Sequence, residues 1–224
     1  MIHVHTKINR PSREQVSNLA RHSTATIHEC QGRRGALHSS IKPVDCTMSL
    51  CGPAFTVVCN SRDNIMLQVA ISYAQPGDVL VVTGGEMTEA GMFGDVLCNA
   101  AIARGLGGLV IDAGVRDTIR LRTLGFPVFS RSICIRGTVK ETLGPINLPI
   151  VIGGELVNPG DIVRGDADGV VVVRREEADE VAARSHAREV EEEKLIARYH
   201  AGESTISVCG LAPVLKAKGL IVEE

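Results

Sequence analysis

The sequence predicts an α/β fold, a mixed sheet flanked by helices. Short, continuously apolar runs at residues 79–82 and through most of 107–115 read as strands covered on both faces. Between the strands lie segments with apolar residues at helical spacing, as with Ile65, Leu67, Val69, Ala70, Ile71 and Tyr73 in residues 64–74. Pro-Gly pairs at Pro76-Gly77 and Pro159-Gly160 punctuate the two kinds of segment, because Pro fixes φ and Gly permits φ > 0 at the next turn position.

In chain order, residues 1–10 read as an edge strand or ordered tail. His3 and His5 form an H-x-H pair, better read as exposed or strand-packed rings than as metal ligands. Ser12 with Gln15 forms a capping box that opens a helix to about His22, and a second short helix starts near Thr24. Arg33 and Arg34, beside Gly32 and Gly35, form either a solvated basic turn or an approach to an anionic substrate. Residues 51–59 are a buried strand and 64–74 a helix. Residues 84–94 form a flexible, glycine-containing approach, and Gly94 opens a helix that runs to about Arg104.

The strand at 107–115 carries Asp112 within an apolar run, and a buried Asp needs hydrogen bonds or a partner, so a structural role is expected. A short helix at 118–124 and a short strand at 127–130 follow. Lys140 is a poor Schiff-base amine, since Glu141 beside it favours the charged form. Residues 151–173 read as β structure with a hairpin turn at 166–169. A long charged helix at about 176–201 ends at Gly202, and the tail from Ser204 reads as a strand and a helix.

At 224 residues the chain is one large domain or two small ones, and 44% hydrophobic residues suffice for a sizeable core. With 3% aromatics and no Trp, that core must be Val, Ile, Leu and Ala. A net charge of −2 argues against a nucleic-acid partner. No apolar run reaches membrane-spanning length, and the N-terminus lacks a signal-peptide core. Seven Cys without a C-x-x-C read as reduced, mostly buried thiols of a cytoplasmic protein, none catalytic.

The chemistry concentrates in residues 91–117, GMFGDVLCNAAIARGLGGLVIDAGVRD. Twenty residues separate Asp95 from Arg116, which is followed at once by Asp117. A short helix and a return strand fit that gap, so helix start and strand end can lie side by side. Two carboxylates, a guanidinium and the free amides of a helix N-terminus would then share one pocket, suited to a small carboxylate substrate and a hard divalent metal.

This pattern, with GDVL, GLVIDAGVRD and GTVKETLG at 137–144, resembles the metal-dependent pyruvate aldolases of the HMG/CHA aldolase family, which also contains the RraA-type regulators of ribonuclease E. The resemblance runs from about Thr24 to the helix before Gly202. It implies a single domain over 1–224 with a swivelling-type β/β/α sandwich, assembled as a trimer or hexamer with sites between subunits. It implies class II cleavage of 4-carboxy-4-hydroxy-2-oxoadipate or 4-hydroxy-4-methyl-2-oxoglutarate, with Mg²⁺ or Mn²⁺ as cofactor. Asp117 would be the direct metal ligand, and Asp95 would hold metal-bound water. Glu192 or Glu193 of a neighbouring subunit would also reach the metal through water. Arg116 would bind the pyruvyl half of the substrate, and the backbone amides of Gly94, Asp95, Val96 and Leu97 would hold its carboxylate. A lyase with Arg116 and Asp95 as catalytic residues is the expectation. The alternative is a non-enzymatic inhibitor of a ribonuclease.

Overall fold

The computed structural model describes residues 3–85 and 89–222. Residues 86–88, in the middle of the expected approach segment, lie outside the described residues, as do the first two and last two of the chain.

The capping box forms as predicted. Ser12 Oγ accepts from the Gln15 amide at 3.1 Å and Gln15 Oε1 from the Ser12 amide at 2.9 Å, opening α1 (Arg13–Leu19). This helix stops a turn short of His22, and α2 (Thr24–Cys30) restarts on the Ser23 cap.

Four parallel strands form the centre: β2 (Leu50–Val58), β3 (Val79–Thr83), β5 (Gly108–Val115) and β6 (Val128–Ile133). Helix α3 (Ile65–Tyr73) joins β2 to β3, and α5 (Thr118–Leu124) joins β5 to β6. A three-residue strand, β4 (Gly91–Phe93), pairs with the end of β5 and leads into α4 (Asp95–Ala103). Antiparallel strands extend both edges. β1 (Lys42–Pro43) pairs with β6, while β9 (Ile162–Asp166) pairs with β2 and forms a hairpin with β10 (Gly169–Val173). A separate hairpin, β7 (Ile150–Ile152) with β8 (Glu155–Val157), stands off the main sheet.

The mixed sheet flanked by helices is therefore present, and it curls until it nearly closes. The order is β1-β6-β5-β3-β2-β9-β10, and the two end strands approach where Lys42 Nζ donates to the Asp168 carbonyl. Across the interior, Gly165 of β9 faces the ring of Phe129 in β6. A Cβ at 165 would stand 2.8 Å from that ring, so bare backbone is what lets these strands converge.

The interior is mostly aliphatic, but its largest fully buried side chains are Phe55, Phe93 and Phe129, so the core is not built of Val, Ile, Leu and Ala alone. A second cluster, including Leu19, Ile27, Ile162, Val171 and Val181, sits between β9–β10 and the helices α1, α2 and α6 (Ala178–His200). Helix α6 buries only residues of its first half, Ala178, Val181, Ala182 and Ser185. The tail departs from expectation: it forms two short helices, α7 (Thr205–Val208) and α8 (Ala212–Ala217), and no strand among the described residues. Ser204 caps α7 by accepting from the Ser207 amide at 3.2 Å, and Pro213 suits the first turn of α8.

Candidate active site

The end of β4, the start of α4 and the end of β5 meet at one place. The Arg116 amide donates to the Phe93 carbonyl at 2.9 Å, which holds the first residue beyond β5 against β4. The chain then turns at Asp117, which adopts φ 57° and ψ 36°. This left-handed conformation costs a non-glycine residue on the order of 1 kcal/mol, least for Asp and Asn. Asp117 precedes α5 but makes no side-chain cap bond to it. Its Oδ2 instead accepts from the Asp95 amide at 3.2 Å and lies 3.6 Å from Arg116 Nε. The twenty-residue gap read from the sequence thus closes into one cluster of Asp95, Arg116 and Asp117.

Two glycines make the closure possible. A Cβ on Gly94 would stand 2.3 Å from Asp117 Oδ2, and one on Gly91 would stand 2.9 Å from Arg116 Cδ. The Arg116 stem therefore runs directly over Gly91, a role for that glycine that spacing alone did not reveal. Of the four amides read as a cradle, that of Asp95 is engaged by Asp117. The amides of Val96 and Leu97 remain first-turn donors with no helical acceptor upstream. The Arg116 and Asp117 side chains are 45% and 38% exposed, so the cluster is open to a ligand. Two exposed apolar side chains, Val96 and Ile119, stand beside it on the first turns of α4 and α5.

The donor chemistry fits a hard divalent cation. Asp117 would offer carboxylate oxygen directly and Asp95 beside it through water, and among the described residues no three His, Cys, Asp or Glu side chains converge on one point. One or two carboxylates with water in the remaining positions is the donor set Mg²⁺ accepts.

The structure places the other candidates elsewhere. Glu192 pairs with Arg188 at 2.7 Å and Glu193 is exposed, both on the outward second half of α6. Arg33 and Arg34 engage Glu29 and Glu177 and line a cleft of their own with Glu155 and Arg174. Lys140 is exposed, so nothing desolvates its amine as a Schiff base would need. Of the thiols, Cys59 and Cys98 are buried, and burial pushes them up to about 12 and about 11. Cys46 and Cys209 are exposed, so the expectation of mostly buried thiols holds only in part.

Asp112 has the structural role expected of it. Arg131 Nε bonds its Oδ1 and the Gly153 amide donates to its Oδ2 at 3.2 Å. Burial alone would push its carboxyl up, but Arg131 and the Gly153 amide hold it below the usual carboxylate range. Sequence reasoning missed a second such carboxylate, Asp63. Burial opposes its charge, but the amides of Ile65, Glu141 and Thr142 donate to it at 3.0, 2.8 and 2.7 Å and hold it down. Next to it, Asn64 Nδ2 donates to the Met92 carbonyl at 2.9 Å. These two residues pin the GTVKETLG loop and the strand that enters the site to one corner. The Asp-Asn pair just ahead of an apolar helix was the available signal.

The comparisons with known proteins agree with this architecture. The RraA-like family model, described as Aldolase/RraA, matches residues 18–172, which include Asp95, Arg116 and Asp117 and stop before α6. A Halalkalibacterium halodurans protein named "Putative 4-hydroxy-4-methyl-2-oxoglutarate aldolase" is 37% identical over 158 residues, covering 70% of this chain and 75% of its own. Streptomyces coelicolor RraAS2, described as an unusual member of the RNase ES inhibitor RraA protein family, is 34% identical. Its structure aligns with a TM-score of 0.74 over 84% of this chain and 98% of its own. An uncharacterized Pseudomonas syringae protein, 25% identical, aligns with a TM-score of 0.79 over 90% of this chain and 95% of its own. The chain belongs to the RraA-like family, whose members carry both aldolase and ribonuclease-inhibitor names.

Proposed function

We propose that the protein is a divalent-metal-dependent pyruvate aldolase. Its substrates are 4-carboxy-4-hydroxy-2-oxoadipate, cleaved to pyruvate and oxaloacetate, and 4-hydroxy-4-methyl-2-oxoglutarate, cleaved to two pyruvates. The observation that carries this reading is the bond from the Asp95 amide to the Asp117 carboxylate, which seats that carboxylate, with Arg116 beside it, at the start of α4 next to Asp95.

Cleavage breaks the bond between carbons 3 and 4. The 4-hydroxyl gives its proton to a water held by Asp95, carbon 4 becomes a carbonyl, and the electron pair leaves as the pyruvate enolate, which takes a proton back from that water at carbon 3. The Val96 and Leu97 amides hold the carbon-1 carboxylate, as helix N-termini hold anions. Arg116 donates to oxygen on the pyruvyl half, and its fixed positive charge steadies the enolate. Asp117 would hold Mg²⁺ or Mn²⁺ directly, and Asp95 would hold it through water. When bound, such an ion supplies Lewis-acid polarisation of the 2-oxo group. Oxaloacetate decarboxylation, which forms the same enolate, is a side activity. A trimer or hexamer in which Glu192 or Glu193 of a neighbouring subunit completes the site accords with the outward position of those residues. The role would be in breakdown of aromatic compounds, in the cytoplasm. Among the described residues no helix is long and apolar enough to cross a membrane.

The test is pyruvate release from both substrates, coupled to lactate dehydrogenase, with Mg²⁺ and then with EDTA. Release that EDTA abolishes is expected, and release indifferent to EDTA would overturn the metal assignment. Absence of release, with oxaloacetate also untouched, would favour the second reading, a ribonuclease inhibitor, which the likeness to RraAS2 supports.

A further inference from the structure

The cluster at the end of β5 has one arginine for the pyruvyl half of a substrate, yet both proposed substrates carry at least one further carboxylate beyond carbon 3. Beyond β6 the chain runs back along the site: the Cys134 amide donates to the Val115 carbonyl at 2.9 Å, and the Gly91 amide to the Arg136 carbonyl at 2.8 Å. Gly91 is also the residue over which the Arg116 stem passes, so the backbone of one glycine lies between that stem and the Arg136 carbonyl. The Arg136 side chain is 59% exposed, and its Nη1 meets Oε2 of Glu89, two residues before Gly91, at 2.7 Å. Glu89 is itself 71% exposed. An ion pair this open is a weak one, readily exchanged for another carboxylate.

From this placement we infer that Arg136 is the specificity-determining residue for the carboxylate that the substrate carries on carbon 4, with Glu89 occupying its place until substrate arrives. The inference rests on the pyruvate-aldolase reading above. Arg136 presents a planar fork that pairs with carboxylate on the half of the substrate that Arg116 does not hold. Glu89 competes for the same fork, so it raises the concentration of substrate needed to engage it.

The experiment measures kcat and KM for Arg136→Gln, Arg136→Lys and Glu89→Gln on two substrates. One is 4-carboxy-4-hydroxy-2-oxoadipate. The other is 4-hydroxy-2-oxopentanoate, whose carbon 4 carries no carboxylate. Loss of one charge-assisted contact should lower the preference for the carboxylate-bearing substrate about tenfold in Arg136→Gln, chiefly through KM. Arg136→Lys should restore part of it, and Glu89→Gln should lower KM for the same substrate. An equal loss on both substrates, or none on either, would overturn the assignment while leaving the aldolase reading standing. No pyruvate from the unaltered protein with either substrate would overturn both.

Discussion

Asp112 and Asp117 lie on and just beyond the same strand, and each faces an arginine. Asp112 is only 19% exposed, both its oxygens are taken, and the two groups that take them hold its carboxyl down. Asp117 is 38% exposed, lies 3.6 Å from its arginine, accepts one backbone amide, and stands on a left-handed turn. A carboxylate can accept about four hydrogen bonds. At Asp112 the fold has claimed both oxygens; at Asp117 it leaves lone pairs facing solvent and keeps a strained backbone in place to do so. An Asp–Arg pair therefore says little about function by itself. What separates the two is the unused bonding capacity and the backbone that maintains it.

The largest effect should come from Asp117→Asn, which keeps a residue that tolerates the left-handed turn but removes the charge. Pyruvate release should fall by at least about a hundredfold, while the melting temperature moves by no more than about 2 °C, the shift of a change below 1 kcal/mol in a chain of this size. Asp112→Ala should show the opposite profile. It leaves the half-buried Arg131 uncompensated and should cost about 2 kcal/mol in urea unfolding, between the values for exposed and fully buried pairs. If Asp112→Ala abolished turnover at unchanged stability, the contrast would collapse.

The smallest effect is in acid. Asp63, Asp112 and Asp166 all have carboxyls held below their usual range, although burial opposes this in each case. Asp63 is held by three backbone amides, Asp112 by Arg131 and the Gly153 amide, and Asp166 by Thr24 and the Asp168 amide. The unfolded chain then binds protons at these groups before the folded one does. Their contribution is complete above about pH 5 and is lost as pH falls through about 4 and below. Urea midpoints measured down that range should drop less steeply for Asp112→Ala than for the unaltered protein, because one of the three groups is gone.

Local signals were legible in the sequence. The Ser12–Gln15 box, the helix at 118–124 and the apolar centre of β3 are set by neighbours along the chain. The near-closure of the sheet was not, because it depends on Gly165 meeting Phe129 from a strand elsewhere in the order. The three-residue β4, hidden in a glycine-containing approach, was missed, and the tail holds a second short helix in place of the expected strand. At the site, Asp95, Arg116 and Asp117 could be named from spacing and resemblance. Asp63 could not, since what makes it a structural anchor is a pair of amides brought from 78 and 79 residues away. For the same reason Asp112 could be read as needing a partner, but Arg131 could not be named as that partner.

The most direct test of the central claim is a Mn²⁺ titration followed by electron paramagnetic resonance, comparing the unaltered protein with Asp117→Asn and Asp112→Asn. One saturable site per chain is expected in the unaltered protein and in Asp112→Asn, and its loss in Asp117→Asn. Retention of that site in Asp117→Asn, or its loss on changing Asp112 alone, would contradict the claim.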